Sequence, residues 1–254
     1  MTDSDHPRLL VTLCTYNERE NLELLIPEIH QYLPQAAILV IDDNSPDGTG
    51  DYAKELRNKD QRIHSIHRSG KLGLGTATIA GFQYAIENHY DLVLNLDADF
   101  SHPPRFMPAL VEATNTADVA IGSRYVPGGK IEGWGPKRYF MSGAINWYAR
   151  LLLRLKSRDC SGSFRCYQVS KLAEIDFALL RAKGYAFQEE ILYRCRRVGC
   201  TFQEVPFTFE ERRFGSSKIN LGEAFSALWV MLVLGIDNCL GKRVRSVSAE
   251  PSEQ

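Results

Sequence analysis

Two aspartates at the end of an apolar run are the residues best suited to do chemistry in this chain. Asp97 and Asp99 follow the strand-like residues 91–96 and precede Pro103-Pro104. In an extended segment, residues two apart lie on the same face, so we expect both carboxylates to point to one spot. Mg²⁺ in proteins is commonly held by one or two carboxylates together with substrate phosphates. The pair therefore predicts a site for a metal and a diphosphate, although taken alone it also fits a solvated acidic turn.

Further polar groups follow other predicted strands. Asp42-Asp43 end an apolar run and are suited to accept hydrogen bonds from a ribose or a base. The glycine-rich residues 70–75 contain Lys71 and open a helix, where backbone N–H groups favour an anion. Each also fits an ordinary turn. Because ligands of open α/β sheets bind at the carboxyl ends of the strands, we expect these groups to lie at one edge.

Basic residues form a second set of candidates. Arg124 comes directly after a predicted strand, and Arg212, Arg213 and Lys218 share one polar loop with Gly215-Ser216-Ser217. Guanidinium forks and lysine charges suit phosphate. The alternative for the loop is a solvated basic surface.

Composition narrows the function classes. The chain has 254 residues, with 30 basic against 31 acidic side chains, which argues against a general nucleic-acid binder. The six cysteines form no C-x-x-C pair and are typical of reduced thiols in a cytosolic protein. The polar N-terminus does not resemble a signal peptide, and no apolar run reaches the roughly 18–20 residues of a membrane span.

The order of predicted elements indicates an α/β fold. Continuous apolar runs are typical of parallel strands buried on both faces, and apolar residues at helical spacing follow them. We predict a helix capped by Asn17 with Glu20, and another that starts at Ser45-Pro46. The predicted strands are residues 8–14, 37–41, 62–67, 91–96 and 118–122, and further helices cover 72–88 and 104–114. This alternation predicts a mostly parallel sheet flanked by helices.

The pattern changes after Arg124. Residues 126–136 are rich in glycine and proline and predict a loop. The following predicted elements are helices 139–156, 171–180 and 187–198, a strand at 201–209, a polar loop at 211–218, an apolar helix at 224–236 and a disordered tail at 246–254. The apolar helix 224–236 is too short to span a membrane, and the amphipathic helix 139–156 carries basic residues around its apolar side. They fit either a buried core or the surface of an anionic membrane.

The motifs together resemble one family. They are residues 15–22 (TYNERENL), 41–49 (IDDNSPDGT), 71–77 (KLGLGTA), 97–103 (DADFSHP), 122–125 (GSRY), 161–165 (SGSFR) and 212–218 (RRFGSSK). In this order they resemble the dolichol-phosphate (polyprenyl-phosphate) mannose synthases, which are family 2 glycosyltransferases with the GT-A fold. The resemblance runs from about Leu9 to about Leu240. It implies one catalytic domain over residues 1–245, with interfacial helices at about 139–156 and 222–240, of the short type without a C-terminal transmembrane domain.

The resemblance also implies roles for individual residues. A guanosine pocket would be lined by Cys14, Tyr16, Glu18, Ile41 and Asp43, and Lys71 is the candidate anion-binding residue beside it. The diphosphate and its Mg²⁺ or Mn²⁺ would be held by Asp97, Ala98 and Asp99, with Ser101 as a further metal ligand. The donor phosphates or the lipid phosphate would be met by Arg124, Arg212 and Lys218. Cys14 departs from the proline that is usual at its position in the family.

The activity implied is inverting transfer of mannose from GDP-mannose to a polyprenyl monophosphate. That acceptor is mostly ionised at neutral pH, so we assign no general base. The alternatives are another sugar nucleotide such as UDP-glucose, a metal-dependent phosphohydrolase that uses Asp97 and Asp99, or a binding protein without turnover. A short member of the family is expected at the cytoplasmic face of a membrane, bound peripherally or through a membrane partner subunit.

Overall fold

The first half of the chain folds into regular strand–helix units. The computed structural model describes residues 7–182, 184–212 and 221–240. The elements up to the fifth strand are β1 (Leu9–Thr15), α1 (Arg19–Tyr32), β2 (Ala37–Asp42), α2 (Thr49–Lys59), β3 (Ile63–His67), α3 (Leu74–Glu87), β4 (Leu92–Asp97), a 3-10 turn (Pro104–Phe106), α4 (Met107–Ala113) and β5 (Val119–Ser123). All five strands predicted for this half are confirmed within a residue or two of their predicted ends.

The second half is less regular. Its elements are β6 (Lys130–Ile131), α5 (Pro136–Leu153), β7 (Arg165–Gln168), α6 (Val169–Leu172), a 3-10 turn (Phe177–Leu179), α7 (Phe187–Arg197), β8 (Phe202–Pro206), β9 (Thr208–Phe209) and α8 (Leu221–Cys239). The prediction of a pure loop at 126–136 is wrong, because β6 pairs with β9 in a small separate sheet. The predicted helix at 171–180 is also wrong. Only α6 and the 3-10 turn form there, and the Asp176 side chain turns the chain by accepting the Ala178 N–H.

The central sheet has the strand order β3-β2-β1-β4-β7-β5-β8. Strands β1 to β4 are parallel to one another, whereas β7 runs antiparallel between β4 and β5. Strand β7 was missed in the sequence because it is short and begins with an arginine, and Arg165 is completely buried. The inserted strand brings the ends of β4 and β5 to the same edge of one sheet.

The core covers both faces of this sheet. Alternate strand residues separate into two buried apolar clusters, so that Leu10 and Val93 belong to one and Val11 and Leu94 to the other. This is the burial expected for strands with continuous apolar sequence. No helix among the described residues is long and apolar enough to cross a membrane. The cysteines at positions 14, 160, 166, 195 and 200 are free thiols, as predicted.

Two helix starts differ from their predictions, for one shared reason. Asn17 does not cap α1. It lies two residues before Arg19, the first residue of the helix, has a φ of 60° and donates its N–H to Ser45 Oγ. Helix α2 starts at Thr49 rather than at Ser45. The Asp47 carboxylate serves both starts, because it accepts the N–H groups of Arg19 and Thr49. The loop after β2 therefore caps two helices, which local sequence patterns do not reveal.

Candidate active site

Asp97 and Asp99 lie at the carboxyl end of β4. Asp97 is the last residue of the strand, and its Oδ1 accepts a hydrogen bond of 2.6 Å from Ser163 Oγ. Asp99 lies in the turn beyond the strand, where its Oδ1 accepts the Ser101 N–H at 3.0 Å. Phe100, which lies between Asp99 and Ser101, has a φ of 66°, in the left-handed region. Strand alternation therefore does not extend to Asp99, and a tight turn fixes its position instead.

A buried histidine supports the first carboxylate. His102 Nδ1 accepts the backbone N–H of Asp97 at 3.0 Å, so the ring proton is on Nε2. Its ring stacks on Phe164 with centroids 5.1 Å apart and meets the edges of Phe207 and Phe209. Burial lowers the pKa of His102, while the charges of Asp97 and Asp99 act in the opposite direction. Both carboxylates thus act on one neutral imidazole, which places them in the same neighbourhood.

The residues of this turn fit a divalent cation. Ser101 Oγ is buried and has no hydrogen-bond partner among the described residues, so its lone pairs remain for a ligand. Among all the residues that the structure describes, no group of three or more His, Cys, Asp or Glu side chains could hold a metal ion. An ion held by Asp97 and Asp99 would therefore need oxygen ligands from a bound substrate. Mg²⁺ and Mn²⁺ commonly bind in this way in the presence of a diphosphate.

The predicted nucleotide residues lie on the neighbouring strands. Cys14 on β1 is in register with Ile41 on β2 and Asp97 on β4. Burial raises the pKa of the Cys14 thiol to about 12, so this side chain is a neutral group beside the carboxylates. Ile41 is completely buried and its side chain belongs to the core, so it can contribute only its backbone to a ligand.

Asp43 already has partners in the structure. Its carboxylate is paired with Arg68 Nη1 at 2.6 Å and accepts the N–H groups of Leu72 and Gly73. It thereby fixes the glycine-rich segment against the end of β2. Lys71, in that segment, has its Nζ 4.5 Å from the centre of the Tyr16 ring. Arg68 was not singled out in the sequence because it stands one residue after β3 and before the glycines, at a position that belongs to no motif.

Glu18 and Ala98 are the remaining residues predicted for this edge of the sheet. Glu18 precedes α1 and accepts a hydrogen bond of 2.6 Å from Asn21 Nδ2. Ala98 is buried between the two aspartates. Together with Cys14, Ile41 and Asp97, these residues extend from the end of β1 to the end of β4.

Arginine residues approach the same edge from the second half of the chain. Arg124, one residue after β5, makes a two-point ion pair with the fully buried Asp159 through Nε and Nη2, each at 2.7 Å. Its Nη2 also donates to Ser161 Oγ. Asp159 was missed in the sequence, although it lies next to the SGSFR motif. The pairing holds Arg124 rigidly at the boundary between β5 and β7.

Two further arginines complete this group. Arg212 Nε lies 3.4 Å from Asp99 Oδ2, so Arg212 reaches the turn after β4. Arg138, which was missed in the sequence, lies over the Trp134 ring with its guanidinium carbon 4.1 Å from the ring centre. Burial lowers the pKa of Arg138, and the charges of Arg212 and Arg124 lower it further. We call Arg124, Arg138 and Arg212 the arginine cluster. Lys218 and Arg213 lie outside the described residues.

A sequence signal for Arg138 did exist. It follows Pro136 and Lys137 in the first turn of α5, which contains no acidic residue. Positive charge is unfavourable at a helix N-terminus, where the backbone favours anions. Two basic residues in a first turn therefore favour the hypothesis of an anion partner near the start of α5.

Known proteins resemble this chain in both sequence and fold. The family model described as glycosyl transferase family 2 matches residues 10–176. The chain is 43% identical over 215 residues to the undecaprenyl-phosphate mannosyltransferase of Micrococcus luteus, which covers 85% of this chain and 88% of that protein. It is 42% identical over 231 residues to the polyprenol monophosphomannose synthase of Mycolicibacterium smegmatis, with 90% and 87% covered.

A solved structure confirms the fold class. Glucosyl-3-phosphoglycerate synthase from Mycobacterium tuberculosis, in complex with Mn²⁺, UDP-glucose and phosphoglyceric acid, superposes with a TM-score of 0.62. The match covers 92% of this chain and 80% of that one, at 18% identity. The expected GT-A-like arrangement, a mostly parallel sheet flanked by helices, is therefore confirmed.

Proposed function

The chain belongs to glycosyl transferase family 2, and we propose that it moves mannose from GDP-mannose to a polyprenyl monophosphate. Transfer of mannose to a polyprenyl phosphate follows from two relatives above 40% identity that are named for this activity and are covered over more than four fifths of their length. We further propose the guanosine nucleotide as donor, the roles of the site residues and a contact with a membrane.

The observation that carries the proposal is the separation of charge along one edge of the sheet. Asp97 and Asp99 lie on the β4 side, and the arginine cluster approaches from the β5 side. Arg212 joins the two sets through its ion pair with Asp99. Such an edge suits two phosphate-bearing substrates, of which one binds with a cation and the other binds to guanidinium groups directly.

On the acceptor side, Arg138 is the group best prepared for an anion. Among the residues that the structure describes, its guanidinium makes no ion pair with a carboxylate and lies against aromatic rings instead. Arg124 is fixed by Asp159, which leaves Nη1 without a hydrogen bond to the described residues. We assign Arg138, Arg124 and Arg212 to the lipid phosphate, with Lys218 as a further candidate. A phosphate that is already ionised attacks without a general base, so these residues act by position and charge.

On the donor side, Asp97, Asp99 and Ser101 would hold Mg²⁺ or Mn²⁺. Such an ion neutralises the negative charge that develops on a leaving diphosphate. Ser163 and His102 fix Asp97, and the turn N–H of Ser101 fixes Asp99. These contacts orient the carboxylates before a substrate arrives. A single displacement at the anomeric carbon would invert its configuration.

For the base and ribose we propose the pocket between β1, β2 and the glycine-rich segment. Its residues are Cys14, Tyr16, Glu18, Ile41 through its backbone, Asp43, Lys71 and Ala98. Asp43 lines this pocket and also orders the glycine-rich segment that borders it, through its contacts to Arg68 and to backbone N–H groups.

A peripheral membrane contact is supported by an exposed apolar surface. Helices α5 and α8 pack against each other, with Gly235 next to Leu152. The large apolar side chains exposed on them and directly after α8 are Tyr139, Phe140, Met141, Trp147, Leu151, Leu228, Trp229, Leu232, Ile236 and Leu240. Trp147 is 63% exposed, so the core interpretation of the predicted helix 139–156 is wrong at this position. We propose that this surface meets the cytoplasmic face of a lipid bilayer or a membrane partner subunit.

The donor is tested by competition between sugar nucleotides. Purified protein with Mn²⁺ and a short-chain polyprenyl phosphate is supplied with labelled GDP-mannose or labelled UDP-glucose. We expect label from GDP-mannose to enter the lipid product. Lipid labelled from UDP-glucose would establish the alternative donor, and water-soluble sugar phosphate without labelled lipid would indicate a phosphohydrolase.

The membrane surface is tested on vesicles that contain anionic lipid. Joint replacement of Trp147 and Leu151 by Ser should weaken vesicle binding while the melting temperature stays close to that of the wild type. Leu24→Ser, a similarly exposed position on α1, is the matched control. Unchanged binding of the double variant would remove α5 from the proposal.

A further inference from the structure

The arginine cluster contains cations held in two different ways. Arg124 is fixed by the Asp159 carboxylate, and Arg212 is paired with Asp99. Arg138 instead rests on the face of Trp134 at 4.1 Å and lies 6.0 Å from the centre of Phe209. Within the described parts of the chain, no carboxylate forms an ion pair with it.

This difference matters for an anion site. A carboxylate that holds a guanidinium occupies its N–H donors and cancels its charge. An aromatic face attracts the same cation through its negative quadrupole and uses none of the five N–H donors. A guanidinium positioned by a ring therefore keeps its charge and its hydrogen bonds for a ligand.

Trp134 also faces a second member of the cluster. The guanidinium carbon of Arg124 lies 5.4 Å from the centre of the same ring. Burial lowers the pKa of Arg138, and the positive charges of Arg212 and Arg124 lower it further, while the carboxylates of Glu211 and Asp99 act in the opposite direction. The neighbouring guanidinium groups therefore repel that of Arg138. The electron-rich ring that both Arg124 and Arg138 contact offsets part of this repulsion.

The ring itself is firmly placed. Trp134 packs edge-to-face on Phe209 with centroids 5.2 Å apart, and Phe209 lies in β9, which pairs with β6 through Ile131. Gly133, with a φ of 76°, brings the chain against the Glu211 side chain, which an added Cβ would meet at 2.8 Å. The small β6–β9 sheet thus connects the Trp134 segment to the segment that carries Arg212.

We propose that Trp134 is a positioning residue of the acceptor site, whose ring face holds Arg138 beside Arg124 while leaving the Arg138 guanidinium available to the lipid phosphate. This role rests on the proposed function, because it takes the acceptor phosphate as the anion bound there. The indole Nε1–H is buried and has no hydrogen-bond partner among the described residues. Trp134→Phe therefore keeps a π face without removing a described hydrogen bond, whereas Trp134→Leu removes the face.

The test is a KM-against-kcat comparison of these two variants with the full-length enzyme. For Trp134→Leu we expect the KM for a short-chain polyprenyl phosphate to rise about 10- to 30-fold, with the KM for GDP-mannose within about twofold. For Trp134→Phe we expect the acceptor KM to stay within about threefold of the wild type. Tyr90→Leu removes another arginine–aromatic contact, that of Arg8 at 4.8 Å, and serves as the matched control.

The outcomes distinguish a failure of the proposed function from a failure of the role assigned to Trp134. A wild-type enzyme that forms no mannosyl lipid overturns the proposed function. An active wild-type enzyme with the same acceptor KM as Trp134→Leu overturns the role of Trp134. The role is equally overturned when Trp134→Phe is as impaired as Trp134→Leu, or when the donor KM of Trp134→Leu rises in parallel with its acceptor KM.

Discussion

The two halves of the molecule build the active edge by different means. In the first half, parallel strands end in carboxylates, and Asp43, Asp97 and Asp99 are fixed mainly by backbone N–H groups, hydroxyls and one arginine. In the second half, arginines after β5, in the first turn of α5 and after β9 are fixed by carboxylates and aromatic rings. The comparison teaches that one edge can receive two anionic substrates when negative and positive side chains approach it from opposite sides.

The strongest test of the carboxylate pair, Asp97 and Asp99, is Asp99→Asn. The substitution keeps the size of the side chain but removes the charge that faces the proposed cation. We expect mannosyl transfer to fall about 100- to 1,000-fold, together with loss of the Mn²⁺-dependent part of GDP binding. Initial rates and calorimetry measure the two effects, and Asp51→Asn, at an exposed carboxylate on α2, is the control. Near-normal metal-dependent turnover in Asp99→Asn would show that Asp99 is not a ligand.

Arg212→Ala tests the connection between the two sides. Because Arg212 contacts Asp99 and acts on Arg138, we expect transfer to fall by about 100-fold, and by more than the affinity for GDP alone. Arg212→Lys should restore activity only in part, since an ammonium group cannot replace a planar fork. Lys218→Ala is expected to act in the same direction. Wild-type rates in both alanine variants would mean that the loop is only a solvated basic turn.

His102 offers a finer test of the acidic side. Its Nδ1 accepts the Asp97 N–H, and the amide oxygen of Asn can take that position whereas Gln reaches further. We expect His102→Gln to weaken Mn²⁺ binding in the presence of GDP by about 10- to 100-fold, and His102→Asn by clearly less. Calorimetric titration with Mn²⁺ measures both. Equal losses in the two variants would mean that the ring packing on Phe164, and not the hydrogen bond, supports Asp97.

The smallest expected effect on turnover comes from Glu189, a buried residue of α7 whose carboxyl lies within electrostatic reach of Arg124. Burial raises the pKa of this carboxyl from 4.5 to about 7, against the opposing charge of Arg165. The folded-state pKa lies above the unfolded one, so the stabilisation is complete below about pH 4.5 and is lost as the pH rises to about 7. Chemical unfolding should show the wild type losing about 3 kcal/mol relative to Glu189→Gln over this interval. Parallel pH profiles would contradict the assignment.

The same contrast explains what the sequence could predict. Strands β1 to β5 are continuous apolar runs whose ends carry recognisable polar motifs, so the fold class and the carboxylates of the acidic side follow from local pattern. Strand β7 does not follow from it, because Arg165 is a charged residue buried through hydrogen bonds to the nearby Cys160 O and to Gln188 O, 23 residues further along the chain. Arg138 leaves a local signal in the first turn of α5, but its surroundings also depend on the distant Phe209. The start of α1 depends likewise on Asp47, 28 residues further along the chain. Interactions between distant segments determine these features.

The measurement that tests the account most directly is a pair of binding titrations on two variants, Asp99→Asn and Arg138→Ala. Each is titrated with GDP in the presence of Mn²⁺ and, separately, with a short-chain polyprenyl phosphate. If the two sides bind different phosphates, Asp99→Asn loses GDP affinity and keeps the lipid phosphate, while Arg138→Ala loses the lipid phosphate and keeps GDP. A parallel loss of both ligands in both variants would contradict the separation of donor and acceptor along this edge.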